Sequence, residues 1–385
     1  MRTTGWRRAI GLLFRALYLV PALVFLVGYA SAYLPPSWFW WTGLLATLVP
    51  YAALLLLVLS PVVLWRFGWR GRSLHGVLLV LLAVRFAPWS GFLPAPSPGA
   101  DDLVVMTFNA PVRGPDPELL AAETVALVRA ERPDVLALQE PVVWLTREVP
   151  PVRRATPHLQ ALIDSLGYDA PLPQRSGQVY DIEQPVVARF PVEERRQVVL
   201  PAGGGGRGPT YVSRVRFRWQ GREAVLYNVH LHTVGEKKPW QDDDFRLFNP
   251  ANWWPYLRWY RAAYRRRAWE AREVRRMVER ETMPVLVVGD FNSTVHHWEY
   301  RELARGLHNA FTQRGRTWGA TYHARLPLVR IDHILAGPEW EVVSAHVPSA
   351  HAFSDHRAVV ARLRWRTDTP PNAIPPNAEP PIAVP

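Results

Sequence analysis

The sequence predicts an α/β domain, a two-sheet β-sandwich flanked by helices, which is preceded by three transmembrane helices. Two observations predict this class. Residues 101–365 alternate short β-rich runs with helical segments, the pattern of a mixed α/β core. Before residue 95 the chain contains three long apolar stretches instead. Each approaches the ~20 residues that cross the hydrocarbon core of a bilayer.

The apolar stretches cover residues 16–34, 39–65 and 74–93. The first follows Arg7 and Arg8, as the apolar part of a signal peptide would. However, two more apolar stretches follow, and Pro35-Pro36 stands where a signal peptide has a small-residue cleavage site. We therefore assign residues 1–93 to a membrane anchor, and we expect the lipid bilayer to be its partner.

Arginines predict the orientation of this anchor. The short loop at 35–38 has no charge, whereas arginines cluster at the N-terminus and in the loop after the second stretch: Arg2, Arg7, Arg8, Arg66, Arg70 and Arg72. Because positively charged loops stay in the cytoplasm, we expect a cytoplasmic N-terminus and an extracytoplasmic domain in the plasma (inner) membrane. Arg85 lies inside the third stretch, where snorkelling to the interface is the simplest interpretation.

The basic net charge of +12 is weak evidence for a nucleic-acid partner, because most of it belongs to the anchor. Residues 1–100 contain eight arginines and no acidic residue, and the other 285 residues hold 37 basic and 33 acidic side chains. The chain has no cysteine. This absence excludes disulfides, thiolate catalysis and cysteine-ligated zinc.

Proline-rich segments delimit the soluble part. Residues 94–101 are predicted to be a linker and residues 366–385 a disordered tail, which leaves 102–365 as one domain. Its predicted helices are 117–129 and 259–280. Its predicted strands are 103–108, 135–138, 186–188, 211–219, 224–230, 285–288 and 331–335, with a last apolar run at 358–363.

Polar residues gather where the predicted strands end or begin. The clusters are Thr107-Phe108-Asn109, Leu138-Gln139-Glu140, Asn228-Val229-His230-Leu231-His232, Gly289-Asp290-Phe291-Asn292, Ile331-Asp332-His333 and Ser354-Asp355-His356. Taken singly, Asn109 is most simply a turn residue, Glu140 a solvated one and His230 a hydrogen-bonded structural histidine. Taken together, six such clusters at one edge of a sheet predict a single acidic, histidine-containing pocket.

These motifs, above all Gly289-Asp290-Phe291-Asn292 and Ser354-Asp355-His356, resemble those of the endonuclease/exonuclease/phosphatase superfamily. That superfamily includes deoxyribonuclease-like nucleases, neutral sphingomyelinases and inositol polyphosphate 5-phosphatases. The resemblance covers about residues 103–363. It implies the deoxyribonuclease-like fold and a divalent-metal-dependent phosphoester hydrolase, either a phosphodiesterase, a phosphatase or a nuclease, in which water attacks phosphorus in line.

The resemblance also implies roles for individual residues. It assigns Mg²⁺ (or Mn²⁺) to Glu140 with Asn109, and Asp355 is either a further ligand or a loop residue. Asp290 is expected to orient or deprotonate the water. Hydrogen bonds to the phosphate and charge stabilisation are assigned to the other catalytic candidates: His230, Asn292, Asp332 as the partner of His356, and His356.

The substrate stays open between a lipid headgroup, a nucleic acid and a small phosphoester. An aromatic-rich insert at 240–260 fits a lid in the membrane interface, a stacking surface for bases, or a packed cap over the sheet. The alternative function is a catalytically inactive relative that binds a phosphorylated ligand or serves as a membrane scaffold. The sequence implies no obligate protein partner.

Overall fold

The computed structural model describes twelve ranges of the chain. They are residues 3–86, 96–110, 117–144, 153–155, 164–169, 184–200, 203, 209–234, 239–241, 244–324, 328–349 and 354–366, with the last separated from the preceding range by residues 350–353. Of the disordered tail predicted at 366–385, all but the first residue lies outside the described residues, as do the first two residues of the predicted linker, 94 and 95.

The N-terminal part is helical. Its helices are α1 (Thr3–Ser31), α2 (Pro36–Phe39), α3 (Thr42–Ala46), α4 (Val49–Arg66) and α5 (Trp69–Phe86). The stretch predicted as one helix at 39–65 is therefore broken into short helices and a long one. A proline in the first turn of α4 starts that helix, where the missing N–H costs nothing.

Two helices are long and apolar enough to cross a membrane by length and composition, namely residues 14–31 and 49–66. The third predicted span is not confirmed. Its helix α5 has 18 residues, and Arg70, Arg72 and Arg85 make it more polar than the other two. The remainder of that stretch, from residue 87 to residue 93, lies outside the described part of the chain.

Two mixed sheets form the soluble part. The described strands are β1 (Leu103–Asn109), β2 (Val135–Gln139), β3 (Val142–Trp144), β4 (Arg153–Ala155), β5 (Val186–Ala188), β6 (Val192–Leu200), β7 (Thr210–Trp219), β8 (Arg222–His230), β9 (Val285–Asp290), β10 (His308–Asn309), β11 (Asp332–Ala336), β12 (Trp340–His346) and β13 (Val359–Trp365). One sheet has the order β12-β13-β1-β2-β5, the other β10-β11-β9-β8-β7-β6, and β3 and β4 form a separate pair.

Helices cover the outer faces of both sheets. They are α6 (Pro117–Glu131), α7 (Pro250–Glu279) and α8 (Trp298–Leu303). A further short helix, α9 (Ala310–Arg314), contributes Ala310 and Phe311 to the core between the sheets. Val128 of α6 belongs to the apolar cluster on the first sheet, and Val274 of α7 to the cluster on the second. The predicted α/β class with two sheets flanked by helices is confirmed.

The main core lies between the sheets. Leu103 and Val105 of β1 face it with Leu226 and Val288 of the other sheet, whereas Met106 faces α6. Burial on both faces explains why β1 is apolar without alternation. Each such fully buried side chain stabilises the fold by about 1.5–3 kcal/mol.

Every predicted strand of the sheets is present, with its ends shifted by at most two residues. The sequence does not predict strands β6 and β12, because arginine and glutamate residues in β6 and Glu341, Ser344 and His346 in β12 interrupt the apolar pattern. Helix α7 begins at Pro250 rather than at residue 259, because the Asn249 side chain accepts a hydrogen bond from the Ala251 N–H and caps it.

The N-terminal helices pack against the two-sheet domain. The Ser31 hydroxyl at the end of α1 lies 3.4 Å from the Tyr264 hydroxyl of α7, and Thr47 lies 3.5 Å from His297. Arg85, near the end of α5, donates to the carbonyl of Val295 at 2.6 Å. The end of α1, the start of α4 and the end of α5 therefore all meet the same side of the domain.

Candidate active site

Strand pairing brings five of the six polar clusters together. β1 and β2 run parallel, with Asn109 opposite Gln139, and β8 and β9 run parallel, with His230 opposite Asp290. Asp332, at the start of the antiparallel strand β11, pairs with Asp290 from the other side. The carboxyl ends of the central strands of both sheets thus meet at one edge of the sandwich.

Asp290 is the centre of this site. It is 1% exposed and accepts hydrogen bonds from the Asn292 N–H at 2.7 Å and from the Asn109 side-chain amide at 3.0 Å. The Nε2 atoms of His230 and His356 lie 3.6 and 3.7 Å from its Oδ2. A carboxylate held by this many donors is fixed in orientation, which suits it to position a single water.

Glu140 and Asn109 lie beside Asp290 in the site. The Asn109 amide donates to the Glu140 carboxylate at 3.4 Å, and that carboxylate also lies 3.8 Å from His230 Nε2. Glu140 and Asp290 therefore border the same imidazole. Glu140 has φ of +58° and Asn292 has φ of +49°, a left-handed conformation that is uncommon for non-glycine residues and clusters at functional sites.

Asp332 holds His356 in place. The carboxylate of Asp332 is fully buried and lies 3.0 Å from His356 Nδ1, which leaves Nε2 directed at Asp290. Burial lowers the pKa of His356, but the charges of Asp332 and Asp290 outweigh burial and raise that pKa to about 10. The ring is therefore a cation that donates through Nε2 at neutral pH.

Asp355 stands apart from the other seven predicted residues. It is half-buried, its backbone carbonyl accepts from Ala324, and its negative charge contributes to the raised pKa of His356. A tight group of three potential metal ligands consists of Asp290, Asp332 and His356. That group contains none of the residues that the sequence predicts as metal ligands, which are Asn109, Glu140 and Asp355.

Several supporting residues were not assigned a role from the sequence. Gln139 donates to Asn228 at 2.6 Å, a buried hydrogen bond that joins the two sheets directly below the site. The Ser354 hydroxyl donates to the Asn109 carbonyl at 2.8 Å and accepts from the His356 N–H at 3.0 Å. Both Gln139 and Ser354 stand inside the polar clusters, but their partners are distant in sequence and only the fold identifies them.

Other candidates lie elsewhere. Continued strand alternation would put His232 on the same face as His230, but β8 ends at His230 and the His232 N–H donates to Glu270. Buried His333 contacts the Ser293 carbonyl on the far face of β11. Arg189, which follows β5, pairs with Asp134 at 3.5 Å.

The aromatic insert is mostly exposed rather than packed as a cap. Phe248 is 94% exposed, Trp254 61% and Trp259 53%, whereas Tyr260 is buried. Tyr260 and its neighbours contact the anchor, since the ring of Trp40 lies 6.3 Å from that of Tyr260. The exposed rings of α7 therefore lie beside the short helices that connect α1 to α4.

Comparisons with known proteins agree with this geometry. The sequence model described as "Endonuclease/Exonuclease/phosphatase family" matches residues 106–356. A search of curated proteins finds no match. Among solved structures, a functionally unknown conserved protein from Enterococcus faecalis has a TM-score of 0.50 at 12% identity, with 68% of this chain and 100% of that chain covered.

Two Bacteroides thetaiotaomicron structures are similar as well. An endonuclease/exonuclease/phosphatase family protein gives a TM-score of 0.49 at 17% identity, covering 69% of this chain and 98% of its own. A mannosyl-6-phosphatase gives 0.47 at 17% identity, covering 68% and 100%.

The two-sheet fold is consistent with a domain of the endonuclease/exonuclease/phosphatase class, whose members are generally phosphoester hydrolases. The chain belongs to the endonuclease/exonuclease/phosphatase family, whose match spans more than half of its length.

Proposed function

We propose that this protein is a membrane-anchored, divalent-metal-dependent phosphoester hydrolase. The observation that carries the proposal is the convergence on Asp290 of the amides of Asn109 and Asn292 and of the imidazoles of His230 and His356. The carboxylate can accept a proton from water, and the N–H groups around it can donate hydrogen bonds to phosphate oxygens.

The residues around Glu140 fit a divalent cation. Asn109 Oδ1 is buried and has no hydrogen-bond partner among the described residues, and the Glu140 carboxylate lies beside the same amide. Two oxygen donors of this kind are what Mg²⁺ or Mn²⁺ prefers. When bound there by Glu140 and Asn109, the cation would neutralise charge on the phosphoryl oxygens.

The remaining steps belong to the side chains. Asp290 accepts a proton from the attacking water, while its bonds to Asn292 and Asn109 keep the carboxylate aimed. His356, held as a cation by Asp332, donates a hydrogen bond to the negative charge that develops on the phosphoryl group. His230 is 20% exposed in its side chain and donates from the open side of the pocket.

The anchoring proposal is supported by the direction of the helices. The start of α4 meets the domain, and its 18 residues, about 27 Å at 1.5 Å per residue, end at Arg66. Helix α5 packs against α4 and returns to the domain at Arg85. We propose that α1, α4 and α5 cross the bilayer, with the arginine-rich α4–α5 turn in the cytoplasm and the catalytic domain outside.

We further propose that the substrate is presented at the membrane surface, with a lipid headgroup favoured over a nucleic acid. The loop from Asn292 to His297 belongs to the site at its first residue and contacts the anchor through its last three. Exposed Trp254 and Trp259 of α7 lie where interfacial aromatics are stable. Both features support a pocket next to the headgroup layer.

Hydrolysis by the full chain in detergent tests this function. With Mg²⁺ and bis-p-nitrophenyl phosphate we expect turnover that is abolished by EDTA and restored by excess Mg²⁺. Asp290→Ala should lower the rate by about 10²-fold or more. Asp169→Asn is the matched control, because that carboxylate lies at the opposite end of the first sheet beside Ala188.

Full activity in Asp290→Ala, or activity unaffected by EDTA, would contradict the proposal. A panel of vesicle-embedded phospholipids, sphingomyelin, phosphoinositides and DNA then identifies the substrate. Faster cleavage of DNA than of every lipid would refute the preference for a headgroup while leaving the hydrolase assignment intact.

A further inference from the structure

A second cavity lies between the anchor and the catalytic domain, away from the residues that converge on Asp290. Its volume is about 250 Å³, and it is lined by Arg85, Val295, Tyr300, Arg301, Ala304 and Arg305. At ~30 Å³ per water molecule it holds roughly eight waters, enough room for a phosphate group and the atoms attached to it. Three of the six lining residues are arginines.

The positive charge in this cavity is poorly neutralised. Arg85 donates from Nε to His296 Nδ1 at 3.0 Å and from Nη2 to the Val295 carbonyl. Neither acceptor carries a negative charge, and burial keeps the His296 ring neutral by lowering its pKa well below the usual value. Arg301 lies 4.3 Å above the ring of Tyr33. Among the described residues, no carboxylate forms an ion pair with either arginine.

Arg305 completes the cluster. It pairs with Glu302 at 2.7 Å, and its side chain is 48% exposed, so one carboxylate stands against three guanidinium groups. The positive charges of the three guanidinium groups repel one another, and an anion bound between them would offset that repulsion. Guanidinium groups bind phosphate oxygens in pairs of parallel hydrogen bonds.

The position of the cavity indicates where that phosphate comes from. Arg85 is next to the last residue of α5, and Arg301 stacks on Tyr33, two residues after the end of α1. If α1 and α5 cross the bilayer as proposed above, both helices end at the level of the outer headgroups. Basic pockets between helix ends at that level suit lipid phosphates.

We propose that this cavity binds the phosphate of an anionic phospholipid from the adjacent leaflet, separately from the catalytic pocket. The inference rests on the proposed anchoring but not on hydrolysis. Arg85 also donates hydrogen bonds to Val295 and His296. The Arg85 side chain would therefore link a bound lipid to the loop that carries Asn292.

Lipid retention by the full chain in detergent micelles tests the proposal, with EDTA present so that turnover removes no ligand. Native mass spectrometry with added phosphatidylglycerol should show one retained lipid on the wild type. Retention should weaken at least about tenfold in the Arg301→Gln/Arg305→Gln double variant. The control Arg196→Gln/Arg276→Gln removes the same charge from exposed positions that do not line the cavity, and it should match the wild type.

Two further arms identify the source of the phosphate. Phosphatidylcholine should be retained at least about tenfold more weakly than phosphatidylglycerol, because choline cancels the phosphate charge. Stabilisation by 10 mM inorganic phosphate without retention of phosphatidylglycerol would refute the lipid assignment. Equal retention by wild type and double variant, or of the two lipids, would also overturn the proposal.

The single variant Arg305→Gln covers the case in which the double variant does not fold, since the Arg305 guanidinium is half in solvent. It should weaken phosphatidylglycerol retention severalfold, and unchanged retention counts against the site. A chain that alkaline carbonate releases from membranes would contradict the anchoring itself, independently of micelle binding. Lost catalysis has no effect on this measurement, so the two failures are distinguishable.

Discussion

At the scale of the residue, the pairing of His356 with Asp332 makes a strong prediction. Asp332 is buried and holds His356 Nδ1 at 3.0 Å, so Asp332→Asn preserves size but removes the charge that keeps the ring protonated. We expect turnover to fall by about 10²-fold while circular dichroism stays unchanged. Wild-type turnover in Asp332→Asn would show that His356 acts without its partner.

Gly289 has a backbone requirement that precedes catalysis. Its φ is +137°, and a Cβ added there would lie 1.8 Å from the Val229 carbonyl oxygen, because β9 approaches β8 closely at this point. Gly289→Ala should therefore destabilise the fold by about 3 kcal/mol or more, measured by thermal unfolding.

Gly221 provides the matched control for that substitution. It also has positive φ, +78°, but nothing lies within 4 Å of an added Cβ. Gly221→Ala should cost only about 1 kcal/mol of backbone strain. Equal destabilisation at both positions would mean that close approach to β8 is unimportant.

Residue types at strand ends were enough to predict much of this site. Asp290, Asn292 and His356 stand in compact motifs, and the sequence predicts all seven of the residues that converge in the candidate site. The supporting bond from Gln139 to Asn228 was not, because it spans 89 residues and amide side chains carry no local pattern. His232 failed as a pocket residue because strand alternation stops where the strand stops.

Among the individual elements, the loop after β9 makes the stability of the fold sensitive to acid. His297 is buried and its Nδ1 lies 3.1 Å from the Thr294 N–H, from which it accepts a hydrogen bond. Burial lowers the pKa of His297 to about 3, so the folded state keeps this ring neutral while the unfolded chain protonates it below about pH 6.5.

The contribution of His297 to the free energy of unfolding should therefore be fully present above pH 6.5 and be lost as the pH falls towards 3. Between pH 6.5 and pH 5 the loss from His297 alone is roughly 2 kcal/mol. Thermal unfolding of His297→Gln should show a lower midpoint at pH 7 but a shallower decline towards pH 5. His346→Gln, at an exposed position, serves as control. A slope identical to that of wild type in His297→Gln would contradict this assignment.

The helical elements were harder to predict than the strands. The stretch at 39–65 is uniformly apolar, which conceals the break before α4, and the break exists because residues 36–46 dock on α7. The beginning of α7 was missed for the opposite reason, since its first two turns carry aromatic side chains that face outward. Hydropathy measures composition, and in both places tertiary contacts determine where a helix starts.

At the scale of the whole molecule, the proposed topology places the C-terminus outside the cytoplasm. Helices α1, α4 and α5 all present one end to the catalytic domain, and Arg66, Arg70 and Arg72 lie at the other end of α4 and α5. An alkaline phosphatase moiety fused after residue 366 should be active, because it matures only after export. A green fluorescent protein fused at the same position should stay dark, and bright cytoplasmic fluorescence would refute the orientation.

Docking of the helix ends onto residues 294–297 limits how this protein can be rebuilt. A chimera that exchanged the first hundred residues for an unrelated tether would keep both sheets. It would lose Thr47 and Arg85, which contact His297, His296 and Val295 only a few positions after Asn292. Attaching the domain to another N-terminal segment therefore requires redesign of that loop as well. We expect the first hundred residues and the domain to evolve as a single unit.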